Sequence, residues 1–425
     1  IMIETIVKNL EANSVDAWRI REENIESEEY FFVGNKVDLG RAKKVKKYEV
    51  TVYRDFEEGE KKYRGSSTVT MSPGTTVEEI VHSIQEAFFA AGFVKNPWYP
   101  MAPKFSRRFE TTEHDLHDLS RDAIGAIFDN EKPSNSWLNS VEIFVTKNGF
   151  RILNSEGLDV AFSKYRTYIE SIVSSSGREE VELYDQLLLA LPDVERIRER
   201  ISRLLLLVGE RANAVPTPAL GRIPVVLTGE PAKEVMRYYL KQANARLKYD
   251  RISEAKPGDS VQSGESGDKI TLEVVPELEG SYFSLPFDND GFLIGKRTVI
   301  ENGILKNYWG DIKYSHYLGI EPTGAVLNFS VGHGSLSIDE MRKADHLEVT
   351  HFSAVDVDET TGDFGGEIRL GWYFDGSERI AVTGGSVTGS LRELESIYLS
   401  KETELDEDYY GPVSIAIEGL KISGE

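Results

Sequence analysis

The chain contains no cysteine among its 425 residues, and it has no long hydrophobic run. The missing thiols exclude disulfide bonds, cysteine nucleophiles, iron–sulfur clusters and zinc sites with thiolate ligands. The longest apolar run, residues 204–208, is followed by Gly209 and Glu210, and it is far shorter than the roughly 20 residues that span a bilayer. Because no basic stretch followed by an apolar segment opens the sequence, we expect a cytoplasmic protein without a membrane anchor.

Basic residues are also few. The sequence has 49 lysines and arginines against 71 acidic residues, which gives a formal net charge of -22. Such a charge repels a phosphate backbone unless the basic residues are segregated on one face. The best basic run, residues 41–47, is short and is typical of a solvated strand edge. We therefore predict no nucleic-acid partner.

The order of strand and helix patterns predicts an α+β protein of two domains. Residues 1–215 are predicted to form an N-terminal domain with an antiparallel sheet and helices. A proline-rich stretch suggests a further boundary near residues 95–110. Residues 216–425 are predicted to form a β-rich C-terminal domain, with the main boundary in the proline-containing segment 214–218.

Several local patterns make sharper predictions. Thr75 and Glu78 have the spacing of a capping box and predict a helix that ends near Gly92. Asn148 and Gly149 predict a tight hairpin turn between two strands. A long helical stretch is expected from Val181 through residue 208. Residues 222–228 form a buried-type strand, which leads into a helix with Pro231 in its first turn.

Residues 349–391 predict a β-meander with glycine turns. Alternate apolar residues, such as Ile368, Leu370 and Trp372, place one face of these strands in a core. The glycines of this stretch fit turns and bulges better than a phosphate-binding loop, because no helix begins directly after them.

Histidine clusters leave a metal site as an open question. His333, His346 and His351 lie close together in the sequence with acidic residues around them. His346 and His351 are separated by an odd number of positions, so on one regular strand they would point to opposite faces. His114 and His117 lack a third nearby ligand. The residues alone therefore assign no metal to any of these histidines.

Five short strings, in order, resemble the TldD/PmbA family, whose members are also called modulators of DNA gyrase. They are Asn-Ser-Glu-Gly at 154–157, Ile-Pro-Val-Val-Leu at 223–227, Val-Ile-Glu-Asn-Gly at 299–303, Thr-Gly-Asp-Phe at 361–364 and Ile-Glu-Gly-Leu at 417–420. The resemblance covers nearly the whole chain.

The resemblance also implies a branch of the family. In the TldD branch, the helix after the Val-Val-Leu strand carries a His-Glu-x-x-x-His zinc motif, which supplies the ligands and general base of a peptidase. This chain has no His-Glu pair, and we place the equivalent positions near Arg237, Tyr238 and Gln242, none of which is a zinc ligand. The chain thus resembles the TldE/PmbA-like branch, for which we predict no metal and no other cofactor.

The implied function is that of a subunit in peptide maturation or proteolysis. The expected partners are a TldD-like zinc peptidase subunit, an unfolded or modified peptide, and a second copy of the chain in a homodimer. We expect the β-rich domain to pair its sheet edges with the peptide, with His351 and Asp363 near the peptide groove.

Two other functions stay open at this point. The chain could be a self-sufficient hydrolase with an unrecognised site, although no Gly-x-Ser-x-Gly motif is present. It could also be a non-enzymatic modulator that binds a protein such as gyrase, an idea that rests on the family name. Activity of the chain alone on an unfolded peptide would separate the subunit from the hydrolase.

Overall fold

Helices and three β-sheets form an α+β protein in the computed structural model, which describes residues 2–129, 133, 135–264 and 266–424. This agrees with the fold class expected from the sequence. None of the described helices combines the length and the apolar character that crossing a bilayer demands.

One large sheet occupies the N-terminal half. Its strands follow the order β3-β2-β1-β5-β6, and the far side of β6 carries both β4 and β7. All its pairings are antiparallel except β4 with β6. The elements are α1 Met2–Ala12, β1 Ala17–Val33, β2 Lys36–Glu58, β3 Lys61–Met71, α2 Val77–Ala91, β4 Ser106–Arg108, α3 Leu116–Phe128, β5 Ser136–Asn154, β6 Asp159–Ser176, β7 Glu180–Leu189 and α4 Val194–Asn213.

The C-terminal half is β-rich, with a ten-stranded and a six-stranded sheet. Its first elements are β8 Val215–Pro216, β9 Val225–Thr228, α5 Glu230–Gln242, α6 Ala245–Tyr249, β10 Ser266–Gly267, β11 Leu272–Val275, β12 Arg297–Glu301, β13 Ile304–Leu305, α7 Ile312–Leu318, β14 Asn328–Val331 and α8 Ile338–Met341. The remaining elements are β15 His346–Val357, β16 Asp363–Phe374, β17 Arg379–Thr383, β18 Ser386–Ser390, β19 Ser396–Leu399, β20 Thr403–Asp406, β21 Tyr409–Pro412, β22 Ser414–Glu418 and β23 Lys421–Ser423. The meander predicted over residues 349–391 corresponds to β15 through β18.

Helix α4 joins the two halves. Its apolar stripe was predicted correctly, and Ile197, Leu204 and Val208 are buried against the first sheet. The same core cluster contains Leu370 and Trp372 of β16, and the Trp372 indole donates a hydrogen bond of 2.9 Å to Glu210. Helix α4 thus packs on both halves, and the domain boundary predicted between residues 215 and 216 stays a prediction.

Three local predictions were wrong. Asn148 and Gly149 lie inside the continuous strand β5, opposite Lys164 and Ser163 of β6, so no turn forms there. The segment after Val181 is the strand β7, in which Val181 and Leu183 are buried between exposed neighbours with a period of two. The capping box of α2 uses Thr76 and Glu79 rather than the residues one position earlier.

The proline-rich segment near residues 95–110 is held against the C-terminal half. The Tyr317 hydroxyl donates to the Pro97 carbonyl at 2.6 Å, and the Lys313 ammonium donates to the Asn96 side chain at 3.0 Å. The further boundary predicted here stays a prediction, and these contacts fix how the segment meets α7.

Candidate functional site

A cleft of about 360 Å³ lies where the two halves of the chain meet. Strand β7 and helix α4 supply one wall. The first turn of α5, strand β15 and strand β20 supply the other. The lining mixes charged residues with apolar ones, as ligand sites usually do.

The cleft exists because β9 is much shorter than its neighbour β15. Strand β9 ends at Thr228 and pairs only with residues 347–349 of β15, which itself continues to Val357. Gly229 then turns the chain out of the sheet with φ of 73° and ψ of -130°, a conformation that strongly favours glycine. Pro231 follows in the first turn of α5. The edge of β15 beyond Val349 is consequently left open toward the cleft.

A buried lysine organises the acidic wall of this cleft. The Lys233 side chain is only 1% exposed, and its ammonium lies 3.0 Å from an Asp406 carboxylate oxygen and 2.8 Å from one of Glu407. It also forms an ion pair with Glu230, one helical turn earlier on α5. Burial alone would lower the pKa of Lys233, but these three carboxylates raise it, so the ammonium stays charged.

The carboxylates around Lys233 do not share one environment. Burial raises the pKa of Glu230 to about 7 in spite of the ion pair with Lys233, and the nearby Asp406 and Glu407 add to this rise. Burial also acts to raise the pKa of Asp406, but Lys233 and Arg200 outweigh it and hold that pKa below its usual value. At neutral pH, Glu230 therefore exchanges a proton, whereas Asp406 stays ionised.

His351 lies in the cleft, as expected for a residue near a peptide groove. Its Nδ1 atom is 3.0 Å from the Thr350 hydroxyl. Burial, opposed by Asp185 and aided by the arginines of α4, lowers the pKa of His351 to about 4, so the imidazole is neutral at pH 7. On the opposite wall Arg200 forms a two-bond ion pair with Asp185, at 2.6 and 2.8 Å.

The positions that we placed at the zinc motif lie further along α5. Arg237 binds Asp408 at 2.7 Å, the Tyr238 hydroxyl accepts a hydrogen bond of 3.1 Å from Arg392, and the Gln242 amide donates to the Glu359 carbonyl at 3.0 Å. None of these three residues lines the cleft. Within the described ranges, no three His, Cys, Asp or Glu side chains are placed to hold a metal ion.

The other singled-out residues are dispersed. His333 is exposed, with its Nδ1 atom 3.1 Å from the Gly334 carbonyl. His346 is 2% exposed, and its Nδ1 atom is 2.8 Å from the Ala344 carbonyl. Asp363 is exposed at the start of β16, opposite Ser390, and does not line the cleft. Of the sequence-selected residues, only His351 reaches it.

His346 and His351 would point to opposite faces only on a regular strand, and β15 is irregular. Strand β15 has register shifts between Val349 and His351 and again further on. As a result His346 pairs with Phe374 and His351 with Leu370, two residues of the same face of β16. The bulge, which the sequence does not reveal, changes the expected geometry.

Comparison with known proteins identifies the class of the C-terminal half first. Residues 220–424 match the family described as the PmbA/TldA metallopeptidase C-terminal domain. Helix α5, β9 and the acidic wall of the cleft all lie within this match. The half that carries most of the cleft is thus of a metallopeptidase-related type.

Similar proteins extend the match. An uncharacterized protein from Methanocaldococcus jannaschii is 28% identical over 57% of this chain and 59% of its own length. The metalloprotease PmbA of Escherichia coli is 27% identical over 30% of this chain and 29% of its own length. The chain thus spans less than two thirds of either relative. The crystal structure of TldE from Thermococcus kodakarensis superposes with a TM-score of 0.80 at 17% identity, covering 100% of each chain, and shows the same fold.

The C-terminal half of the chain therefore belongs to the TldD/PmbA family, and the superposed structure shows the same fold for the whole chain. The resemblance found in the five sequence strings is confirmed at this level.

Proposed function

We propose that this chain is a TldE/PmbA-like subunit, without a metal of its own, that works with a TldD-like zinc peptidase on unfolded or modified peptides. The observation that carries this proposal is the chemistry of α5, the helix that follows the Val-Val-Leu strand. A hydrolytic zinc ion needs ligand atoms with free lone pairs around an open coordination position. At a position that we align with the zinc motif, the Arg237 guanidinium has no lone pair to offer and binds Asp408 at 2.7 Å. One helical turn earlier, the Lys233 ammonium binds three carboxylates.

The peptide would lie in the groove formed by the cleft and a second depression beside it. Both are lined by Tyr184 of β7 and by His351 and Phe352 of β15. In the described chain, β7 pairs with β6 on one side and has only a single bridge, from Leu189 to Ser281, on the other. The groove therefore runs along open strand edges, which bind extended peptides through main-chain hydrogen bonds.

The register of β7 indicates which main-chain groups are free for a peptide. The Glu182 carbonyl accepts a hydrogen bond from Arg211, and the Ala190 amide donates to the Gly280 carbonyl, so even-numbered residues face the open edge. Tyr184 and Gln186 follow the same alternation and line the cleft. From the sequence we expected the peptide-binding edge in the C-terminal domain, whereas β7 belongs to the N-terminal sheet.

The subunit role can be tested by assaying an unfolded peptide with the chain alone, with a TldD-like peptidase alone, and with both. We expect cleavage that requires the TldD-like protein and increases when this chain is added, together with copurification of the two. Zinc analysis of untagged protein should give less than stoichiometric metal. Cleavage by the chain alone would contradict the proposal and favour the self-sufficient hydrolase.

The groove has a separate test. Replacing Gln186 with proline removes one outward-facing amide on an edge where proline is tolerated. We expect Gln186→Pro to lose about tenfold or more of the peptide affinity. Gln186→Ala keeps the amide and should retain binding. Equal binding by both variants would place the peptide elsewhere.

Sedimentation of the chain alone and with its partner would show whether the predicted homodimer forms.

A further inference from the structure

The first half of β2 has a free edge. Residues 36–47, here called the basic edge strand, pair with β1 on one side, whereas β3 pairs only with residues 48–58. No other strand of the described chain covers the outer side of residues 36–47. A row of main-chain amides and carbonyls is therefore available there for another strand.

The side chains of this strand are unusually exposed and unusually basic. Every residue from 36 to 45 is exposed, including Val37 at 60% and Leu39 at 45%. The strand holds six lysines and arginines but a single acidic residue, in a chain whose net charge is -22. Positive charge is thus concentrated on one edge of an acidic protein, next to apolar side chains that an added strand could cover.

The sheet behind this edge shows which charge its next strand should carry. Glu26 of β1 lies between Lys147 of β5 and Lys44 of β2 in the strand register, and the Lys44 ammonium binds Glu26 at 2.7 Å. Lys47 likewise binds Glu23 of β1 at 3.0 Å. Charge therefore alternates from strand to strand, since opposite charges on neighbouring strands attract. A strand added outside β2 continues the pattern when it is acidic.

We infer that the basic edge strand binds an extended acidic segment of another protein chain as an added β-strand. Lys36 and Lys43 form no ion pair with any described residue and are available to the incoming carboxylates. A second copy of the same strand fits poorly, because it brings six further cations to the edge. Nucleic acid offers no strand partner for the open main-chain groups, and the -22 charge of the chain repels it.

Fluorescence anisotropy with the full-length chain tests this inference. The probe is a labelled peptide of glutamate and valine about 12 residues long, which is the length that can pair with the free edge. We expect binding that weakens about tenfold or more between 50 mM and 500 mM salt, because the cations are exposed. The double substitution Lys43→Glu with Lys44→Glu should weaken binding by a similar factor. The matched control, Lys421→Glu at another exposed lysine, should change it less than twofold.

A second peptide separates strand addition from simple charge attraction. The same acidic sequence with every main-chain amide N-methylated keeps its charge but donates no main-chain hydrogen bond from either edge, so we expect at least a tenfold loss of affinity for the unmodified protein. Equal binding of the methylated and unmethylated peptides would overturn the inference. Absent binding would also overturn it and leave the lysines as protection against strand pairing. Preference for a single-stranded oligonucleotide, or self-association abolished by the double substitution, would assign the edge to nucleic acid or to a second copy.

Discussion

Lys233 in the cleft and Lys44 on the basic edge strand are both held by carboxylates, but their surroundings differ sharply. The Lys233 side chain is 1% exposed and meets three carboxylates, whereas the Lys44 side chain is 80% exposed and meets one. Water solvates an exposed ammonium when its partner moves away, so an ion pair there contributes little. A buried ammonium has no such substitute, and its partners must already be in place. The cleft is therefore a preformed charge network, and the edge strand keeps its charges available.

Of the changes that test this comparison, removal of Lys233 should have the largest effect on the free energy of unfolding. In Lys233→Met, Asp406 and Glu407 lose their cation inside the protein, and we expect the free energy of unfolding to fall by about 3–5 kcal/mol. The loss should be smaller near pH 5 than near pH 8, because the orphaned carboxyls can then take up protons. Urea denaturation followed by circular dichroism measures both values.

The matched control for this change is Lys44→Met, which removes the same charge from the surface. Its cost should stay within about 0.5 kcal/mol. Similar losses in the two variants would mean that the network around Lys233 is not the source of its stability.

The pH dependence of stability should distinguish the contributions of Glu230 and His351, two titratable residues of the cleft. Glu230 has its pKa raised from 4.5 to about 7, so the folded state holds its proton more tightly. Its contribution to stability is present below pH 4.5 and is lost as the pH rises through 7. His351 has its pKa lowered from 6.5 to about 4, so its contribution is present above pH 6.5 and is lost as the pH falls through 4.

Between pH 4.5 and 6.5 the two contributions have opposite slopes, so single variants should expose each one. Glu230→Gln should leave a stability that rises with pH, and His351→Gln one that falls with pH. We expect changes of about 1–2 kcal/mol across this window, because solvent screens both groups in part. Denaturant midpoints at several pH values provide the measurement. Unchanged slopes in either variant would show that the corresponding group does not titrate in this range.

The sequence carried different amounts of information about the two regions. Alternation and glycine turns predicted the meander, and the apolar stripe of α4 was visible because its spacing is local. Strand β7 was mistaken for helix, since a short apolar run such as residues 187–191 fits either period. Asn148 and Gly149 carry a strong turn signal, but pairing on both sides of β5 overrides it.

The cleft could not be predicted from local sequence patterns. Lys233 and Asp406 are 173 positions apart, and no local sequence pattern pairs them. Residues 402–410 look like an acidic loop in the sequence, whereas the structure forms β20 and the start of β21 there. One signal could have raised the question: a lysine on the apolar side of α5, which needs carboxylates around it. Which carboxylates meet it depends on how β20 packs against α5.

The smallest expected effect is on the coupling energy of a single ion pair, compared between the edge strand and the cleft. A double-mutant cycle on Glu26 and Lys44, with each residue changed to alanine, should give a coupling energy of about 0.3–0.5 kcal/mol. Salt near 1 M should remove most of it, because both side chains are exposed. The same cycle on Asp185 and Arg200, whose side chains are 11% and 34% exposed and form two hydrogen bonds, should give a larger coupling that salt reduces less. Equal couplings with equal salt dependence would remove burial as the reason why the cleft and the edge strand differ.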